Sequence, residues 1–89
     1  MLIMQRRQGV VSYKKHGMYV ALISGHSHVF EFNETASFIW DLLKKPISDK
    51  QISKKLCEMY HVTKNQADKD AHEFVMKYTK EGLVTDSPK

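Results

Sequence analysis

The sequence HVFEFNETASFIWDLL, residues 28–43, changes its hydrophobic pattern at Asn33. Before Asn33 the side chains alternate, with Phe30 and Phe32 on one face and their neighbours on the other, as in a strand with one buried face. After Asn33 the apolar residues recur at the spacing of a helix. Asn33 is itself a favourable helix N-cap. The stretch therefore predicts an edge strand that leads directly into a helix.

Two more strands are predicted upstream of this stretch. β-rich runs occupy residues 10–13 and 18–24, and turn-forming residues separate them from each other and from residues 28–32. Connections this short predict a three-stranded antiparallel meander. In that meander residues 18–24 form the middle strand and residues 28–32 an exposed edge.

Two further helices are predicted downstream. Ser48 with Gln51, and Thr63 with Gln66, have the spacing of a helix-capping box. Apolar residues then recur at helical spacing: Ile52, Leu56, Met59 and Tyr60 in one segment, and Ala67, Ala71, Phe74, Val75 and Tyr78 in the next. We therefore predict an α+β fold: a winged helix-turn-helix with an N-terminal three-stranded antiparallel sheet followed by three helices.

Composition predicts one domain, residues 1–89, because 89 residues with 42% hydrophobic content suit a single core. The apolar runs are too short to span a bilayer, and no signal peptide precedes them. We therefore expect a cytoplasmic protein without membrane association. The single cysteine, Cys57, cannot form an internal disulfide, which agrees with that compartment.

The residue types that carry catalysis or bind metals are scattered. Of the five histidines only His26 and His28 lie close in sequence, and no cysteine or carboxylate cluster completes a metal site. Cys57 has no histidine at a spacing that would activate it, and the four glycines are isolated, so no phosphate loop is predicted. We expect no catalytic residues, no metal and no cofactor, and a protein that is not an enzyme.

Residues 30–43 resemble the signature LNxTAxxIWxLL of PqqD-like proteins. These proteins recognise the leader segments of the precursors of ribosomally synthesised, post-translationally modified peptides (RiPPs). Three later features are similar to the family: the spacing of Ile52, Leu56 and Tyr60; Asp70 followed by Phe74; and the closing Glu81-Gly-Leu-Val84. The resemblance covers residues 10–84.

The chain departs from the pyrroloquinoline quinone branch of that family. It lacks a Pro-Glu before the third strand, and Lys44-Lys-Pro46 stands where an Asp-Gly would follow the first helix. The chain looks more like the stand-alone leader-binding subunit of lasso-peptide biosynthesis, whose partner is a separate leader protease. A chaperone role for the quinone precursor, or for another RiPP class, is the alternative.

The resemblance implies that the leader binds as a fourth strand, antiparallel to the third, in a cleft beside the third helix. Main-chain pairing would supply affinity, and apolar recesses would supply specificity. The residues expected at this cleft are His28, Val29, Phe30, Glu31, Phe32, Asp70, Ala71, Phe74, Val75, Lys77 and Tyr78. Several of the apolar ones are equally candidates for the core, whereas Asp70 and Tyr78 are expected at the surface. We expect a monomer or weak dimer whose partners are a leader and a processing enzyme.

DNA binding is the alternative from another class, because winged helices often bind DNA. The helix after Thr63 has no arginine and balances its lysines with acids, which disfavours a specific nucleic acid partner. The N-terminal cations Arg6, Arg7, Lys14 and Lys15 leave a phosphate-contacting wing open. An oligomerisation module is a third alternative, since an exposed edge strand also pairs with a second copy.

Overall fold

The structure, a computed structural model, describes residues 3–86 as six strands and three helices. In chain order they are β1 (Ile3–Arg6), β2 (Val10–Lys15), β3 (Met18–Ile23), β4 (Val29–Glu31), α1 (Glu34–Leu42), β5 (Ile47–Ser48), α2 (Asp49–Tyr60), α3 (Lys64–Lys80) and β6 (Val84–Asp86). The α+β class and the winged helix-turn-helix arrangement predicted from the sequence are confirmed. None of the three helices in this part of the chain has the length and hydrophobicity that crossing a membrane requires.

The predicted meander is the antiparallel sheet β2-β3-β4. Ala21 in β3 lies opposite both Ser12 in β2 and Phe30 in β4, and it is fully buried. Strand β4 is shorter than predicted, since residue 28 and Phe32 fall outside it, but its alternation holds: Val29 and Glu31 are exposed while Phe30 faces the core. The sheet thus buries one face against the helices.

A second sheet, β5-β1-β6, was not predicted. Met4 in β1 lies opposite Ile47 in β5, and Arg6 lies opposite Val84 in β6. The partner strands are two and three residues long, too short to show a periodic pattern. Met4 is nevertheless 1% exposed, so this sheet closes one side of the core.

The helix N-termini are capped as predicted. The Asn33 side chain accepts a hydrogen bond from the Ala36 N–H at 2.8 Å, which fixes the point where β4 ends and α1 begins. Ser48 and Gln51 form a reciprocal capping box, and Thr63 caps α3 by accepting from the Gln66 N–H at 3.1 Å. Each cap satisfies N–H groups that the first turn of a helix leaves without partners.

Trp40 lies at the centre of the core with no exposed surface. Its ring centroid is 5.4 Å from that of Phe32. On another side the guanidinium of Arg6 lies 4.4 Å from the indole centroid, and its Nε and Nη2 donate to the Trp40 carbonyl at 3.1 and 2.7 Å. Arg6 is therefore a packing residue, and the phosphate-contacting wing suggested by the N-terminal cations loses one of its four members.

Tyr19 links the β2-β3-β4 sheet to α1 through a charged hydrogen bond. Its hydroxyl donates to Asp41 Oδ1 at 2.7 Å, and Lys44 Nζ lies 2.9 Å from the same oxygen. The Tyr19 hydrogen bond, followed by that of Lys44, lowers the pKa of Asp41 below its ordinary value of 3.8. Asp41 therefore stabilises the fold above that ordinary value, and the contribution disappears as the pH falls through the lowered pKa.

Replacing Tyr19 by phenylalanine is expected to reduce the free energy of unfolding by about 0.5–1.5 kcal/mol at neutral pH. The deficit should shrink as the pH falls through the lowered pKa of Asp41, because the protonated carboxyl is no longer a charged acceptor. Urea unfolding of both proteins across this range measures it. Tyr13→Phe is the matched control, since Tyr13 is 52% exposed, and it should change nothing. A deficit that is independent of pH would contradict the assignment to Asp41.

Candidate functional site

One edge of β4 is open: β3 pairs with one side of it, and no strand of residues 3–86 pairs with the other. The Phe32 N–H donates to the Tyr19 carbonyl of β3 at 3.0 Å. Main-chain groups alternate in direction along an antiparallel strand. Phe30, opposite Ala21, therefore also points its main chain at β3. The N–H and C=O groups of Val29 and Glu31 consequently point away from the sheet, free for a further strand.

Aromatic contacts hold α3 beside this edge. The Phe30 ring lies 6.2 Å from that of Tyr78, and the Phe32 ring lies 5.8 Å from that of Phe74. His28, exposed just before β4, packs edge-on against Phe30 at 4.5 Å. The inner face of β4 is therefore packed while its outer face and edge remain accessible.

A single hydroxyl fixes the end of β4 to α1. Ser37, buried in α1, accepts from the Tyr19 N–H at 2.8 Å and donates to the Phe32 carbonyl at 3.4 Å. Because the hydroxyl satisfies a donor and an acceptor that would otherwise be buried without partners, it holds the junction in one geometry. The open edge is thus pre-organised for pairing.

A recess of about 310 Å³ begins at Asn33, two residues beyond the end of β4. It lies between the start of α1 and one flank of α3. Its lining residues are Asn33, Thr35, Ala36 and Ile39 on one side, and Asp70, Glu73, Phe74 and Lys77 on the other. Its accessible lining is more polar than apolar, and the apolar side chains of Ile39 and Phe74 lie almost fully buried beneath it.

The structure brings most of the expected cleft residues together. Val29 and Glu31 lie at the edge, Asp70, Phe74 and Lys77 at the recess, and the remaining aromatic residues between them. Two expected residues are elsewhere. Ala71 is 1% exposed within the core. Val75 lies, by helical spacing, on the same face of α3 as Lys64 and Asp68, and that face is turned towards α2.

Two residues that were expected at the surface are less exposed than expected. Tyr78 was expected at the surface, but it is 8% exposed and belongs to the core. Its ring has Phe30, Phe32 and Phe74 as neighbours, and this aromatic cluster shields the ring from water. Asp70 is half-buried and accepts from Gln66 Nε2 at 2.8 Å.

The α1 side of the recess, with Glu73 on α3, was not predicted. The available signal was that Asn33 follows the edge strand directly, so the first turn of α1 had to lie near the end of that edge. The sequence does not show which flank of α3 faces α1, because that depends on how the helices pack.

A larger depression of about 850 Å³ separates α2 from α3. Four lysines line it, Lys50, Lys54, Lys64 and Lys69, and the Ser53 hydroxyl bridges the helices by donating to Asp68. It lies on the flank of α3 opposite the recess and borders no strand edge. Strand addition is therefore possible at β4 and not in this groove.

Comparisons with known proteins support the fold described above. The fold is similar to the solved structure "TbiB1 in Complex with the TbiA(beta) Leader Peptide", with a TM-score of 0.84 and 21% identity over 96% of this chain and 99% of that one. It is also similar to "Lasso peptide synthetase B1 complexed with the leader peptide", with a TM-score of 0.81 and 20% identity over 92% and 96% of the two chains. No curated protein matches the sequence. Residues 18–84, well over half of the chain, match the family described as coenzyme PQQ synthesis protein D. The chain belongs to the PqqD family.

Proposed function

We propose that this protein is a non-catalytic adaptor that binds the leader of a ribosomally made precursor peptide as a fourth strand beside β4. The observation that carries the proposal is the open edge of β4, where the main-chain groups of Val29 and Glu31 point away from the sheet. Peptides that add a strand to a sheet gain affinity from such groups and specificity from adjacent pockets. Two structurally similar proteins were solved in complex with leader peptides, which supports leader binding as the function.

The expected affinity follows from the groups available. Four main-chain hydrogen bonds at about 0.5–1.5 kcal/mol each contribute about 2–6 kcal/mol, and burying apolar leader side chains in the recess adds to this. Ordering a flexible peptide opposes both terms. A dissociation constant between about 10 nM and 10 μM is therefore expected.

We assign the processing of the precursor to a separate enzyme, and favour the leader protease of a lasso-peptide pathway. One of the similar structures is a lasso peptide synthetase B1 with its leader. Lys44-Lys-Pro46, which replaces the Asp-Gly of the quinone branch, also favours that assignment over a quinone-precursor chaperone. In this arrangement the adaptor increases the local concentration of precursor at the enzyme.

Calorimetry with the synthetic leader, about 15–25 residues long, of the cognate precursor is expected to give a dissociation constant in the stated range. Amide spectra should shift most at Val29, Glu31 and Asn33. A scrambled peptide of the same composition is the control and should bind at least tenfold more weakly. An absence of both heat and spectral shifts with the native leader would refute leader binding.

A further inference from the structure

Carboxylates dominate the recess at the end of β4. Asp70 and Glu73 line it together with one cation, Lys77. Two more acids, Glu31 and Glu34, stand on either side of the junction between β4 and α1, and both are exposed. Glu31 and Glu34 do not line the recess, so its lining carries two acids and one lysine in a chain whose formal net charge is +4. The local charge of the recess is therefore opposite to that of the protein as a whole.

These carboxylates have little compensation from the protein itself. Within residues 3–86, no lysine or arginine lies within ion-pair distance of Asp70 or Glu73. The hydrogen bond that Asp70 accepts comes from a neutral amide, that of Gln66. Lys77 directs its ammonium over the Tyr78 ring, 5.3 Å from the centroid. The negative charge of the recess is available to a ligand.

The start of α1 brings a partial positive charge to the same recess. The Asn33 side chain occupies one of its free N–H groups, and Glu34 places a full negative charge in the first turn. Because the helix end carries only about half an elementary charge, these groups outweigh it. The recess remains acidic.

The shape and the charge of the recess fit one kind of side chain. A volume of about 310 Å³ has room for the stem of one long side chain. The acidic rim then meets the end of that stem. Lysine and arginine combine such a stem with a terminal cation, whereas an acidic side chain would be repelled.

Strand direction fixes where in the leader this residue lies. A leader strand antiparallel to β4 runs from the recess towards His28. One leader residue pairs with Glu31, and the leader residues that precede it therefore pass Asn33. At about 3.3 Å per residue, the side chain in the recess lies about two to four positions before that partner.

We propose that the recess selects leaders carrying a lysine or arginine just N-terminal to the segment that pairs with β4. This inference rests on the proposed function, because it requires a peptide strand at the β4 edge. Asp70 and Glu73 are the residues that confer the preference. Neutralising both is expected to weaken binding of a basic peptide by about three- to thirtyfold, as for charge pairs at a partly exposed site.

The test uses a displayed library of random 15-residue peptides selected on the full chain, on Asp70→Asn/Glu73→Gln, and on Asp49→Asn/Glu58→Gln. The last variant is the matched control, since it makes the same two chemical changes on α2. The parent and the control should enrich a basic residue before an alternating apolar segment, and the recess variant should not. In a synthetic peptide from the parent selection, replacing that basic residue by glutamine should cost about three- to thirtyfold with the parent and less than twofold with the recess variant.

The outcomes separate this inference from the proposed function. Selected peptides that lose affinity for Val29→Pro show that the β4 edge binds peptide. If such peptides have no basic residue in common, or carry it after the pairing segment, the inference is overturned and the adaptor function stands. The same holds if the recess variant still selects the basic residue. If no selected peptide depends on the β4 edge, both fail. The glutamine substitution in the peptide, tested on the unchanged protein, gives an answer even if the recess variant does not fold.

Discussion

Replacing Trp40 by alanine is expected to unfold the protein. The side chain has no exposed surface and packs between Phe32 and the guanidinium of Arg6. Its removal leaves a cavity, and truncations of this kind cost about 3–5 kcal/mol. A domain of this size has a total stability near the lower end of about 5–15 kcal/mol. The loss is therefore comparable to the whole free energy of unfolding.

Urea unfolding followed by far-ultraviolet circular dichroism measures this effect without relying on the fluorescence of the tryptophan. Trp40→Phe is the informative control. The indole N–H finds no acceptor within residues 3–86, so phenylalanine forfeits volume but no hydrogen bond. We expect it to cost about half as much as alanine. If the alanine variant keeps its free energy of unfolding within about 1 kcal/mol of the parent, Trp40 is not the centre of the core.

Replacing Val29 by proline is expected to abolish most leader binding while the fold survives. Proline removes the Val29 N–H, which points to the open side of β4, and its ring occupies the place of an incoming strand. No internal ladder bond is lost, because β3 pairs through Phe30 and Phe32. We expect the dissociation constant to rise at least tenfold, equivalent to about 1.4 kcal/mol.

Val29→Ala is the matched control for that substitution. It shortens a side chain that is 46% exposed and keeps the main-chain N–H, so its affinity for the leader should stay within about threefold of the parent. Melting curves establish that both variants are folded. A folded proline variant with unchanged affinity would move the peptide away from β4, and the lysine-lined groove between α2 and α3 would become the next surface to test.

The sequence predicted those parts of the fold whose signals are local. Asn33, Ser48 and Thr63 were identified as caps because a cap is defined by residues three positions apart. The meander was predictable because its three strands are joined by short turns. β5 and β6 were not, since strands of two and three residues exist only through pairing with distant β1.

The site was predictable in its strand and only partly in its helix. An alternating strand before a capped helix implied an open edge at Val29 and Glu31. The burial of Tyr78 and the separation of Val75 from the recess depend on how α3 is rotated against the sheet, and rotation is set by tertiary packing. For the same reason the sequence suggests that Arg6 is a surface cation, whereas tertiary packing places its guanidinium against Trp40.

The β5-β1-β6 sheet has a consequence for the order of folding. Pairing Arg6 with Val84 closes a loop that contains nearly the whole domain, and contacts of such long sequence separation form late because their closure costs the most chain entropy. On the ribosome, β1 cannot pair with β6 until residues 84–86 have emerged. The hairpins that build β4 do not depend on β6, so a nascent chain can form the open edge of β4 before the β5-β1-β6 sheet is complete.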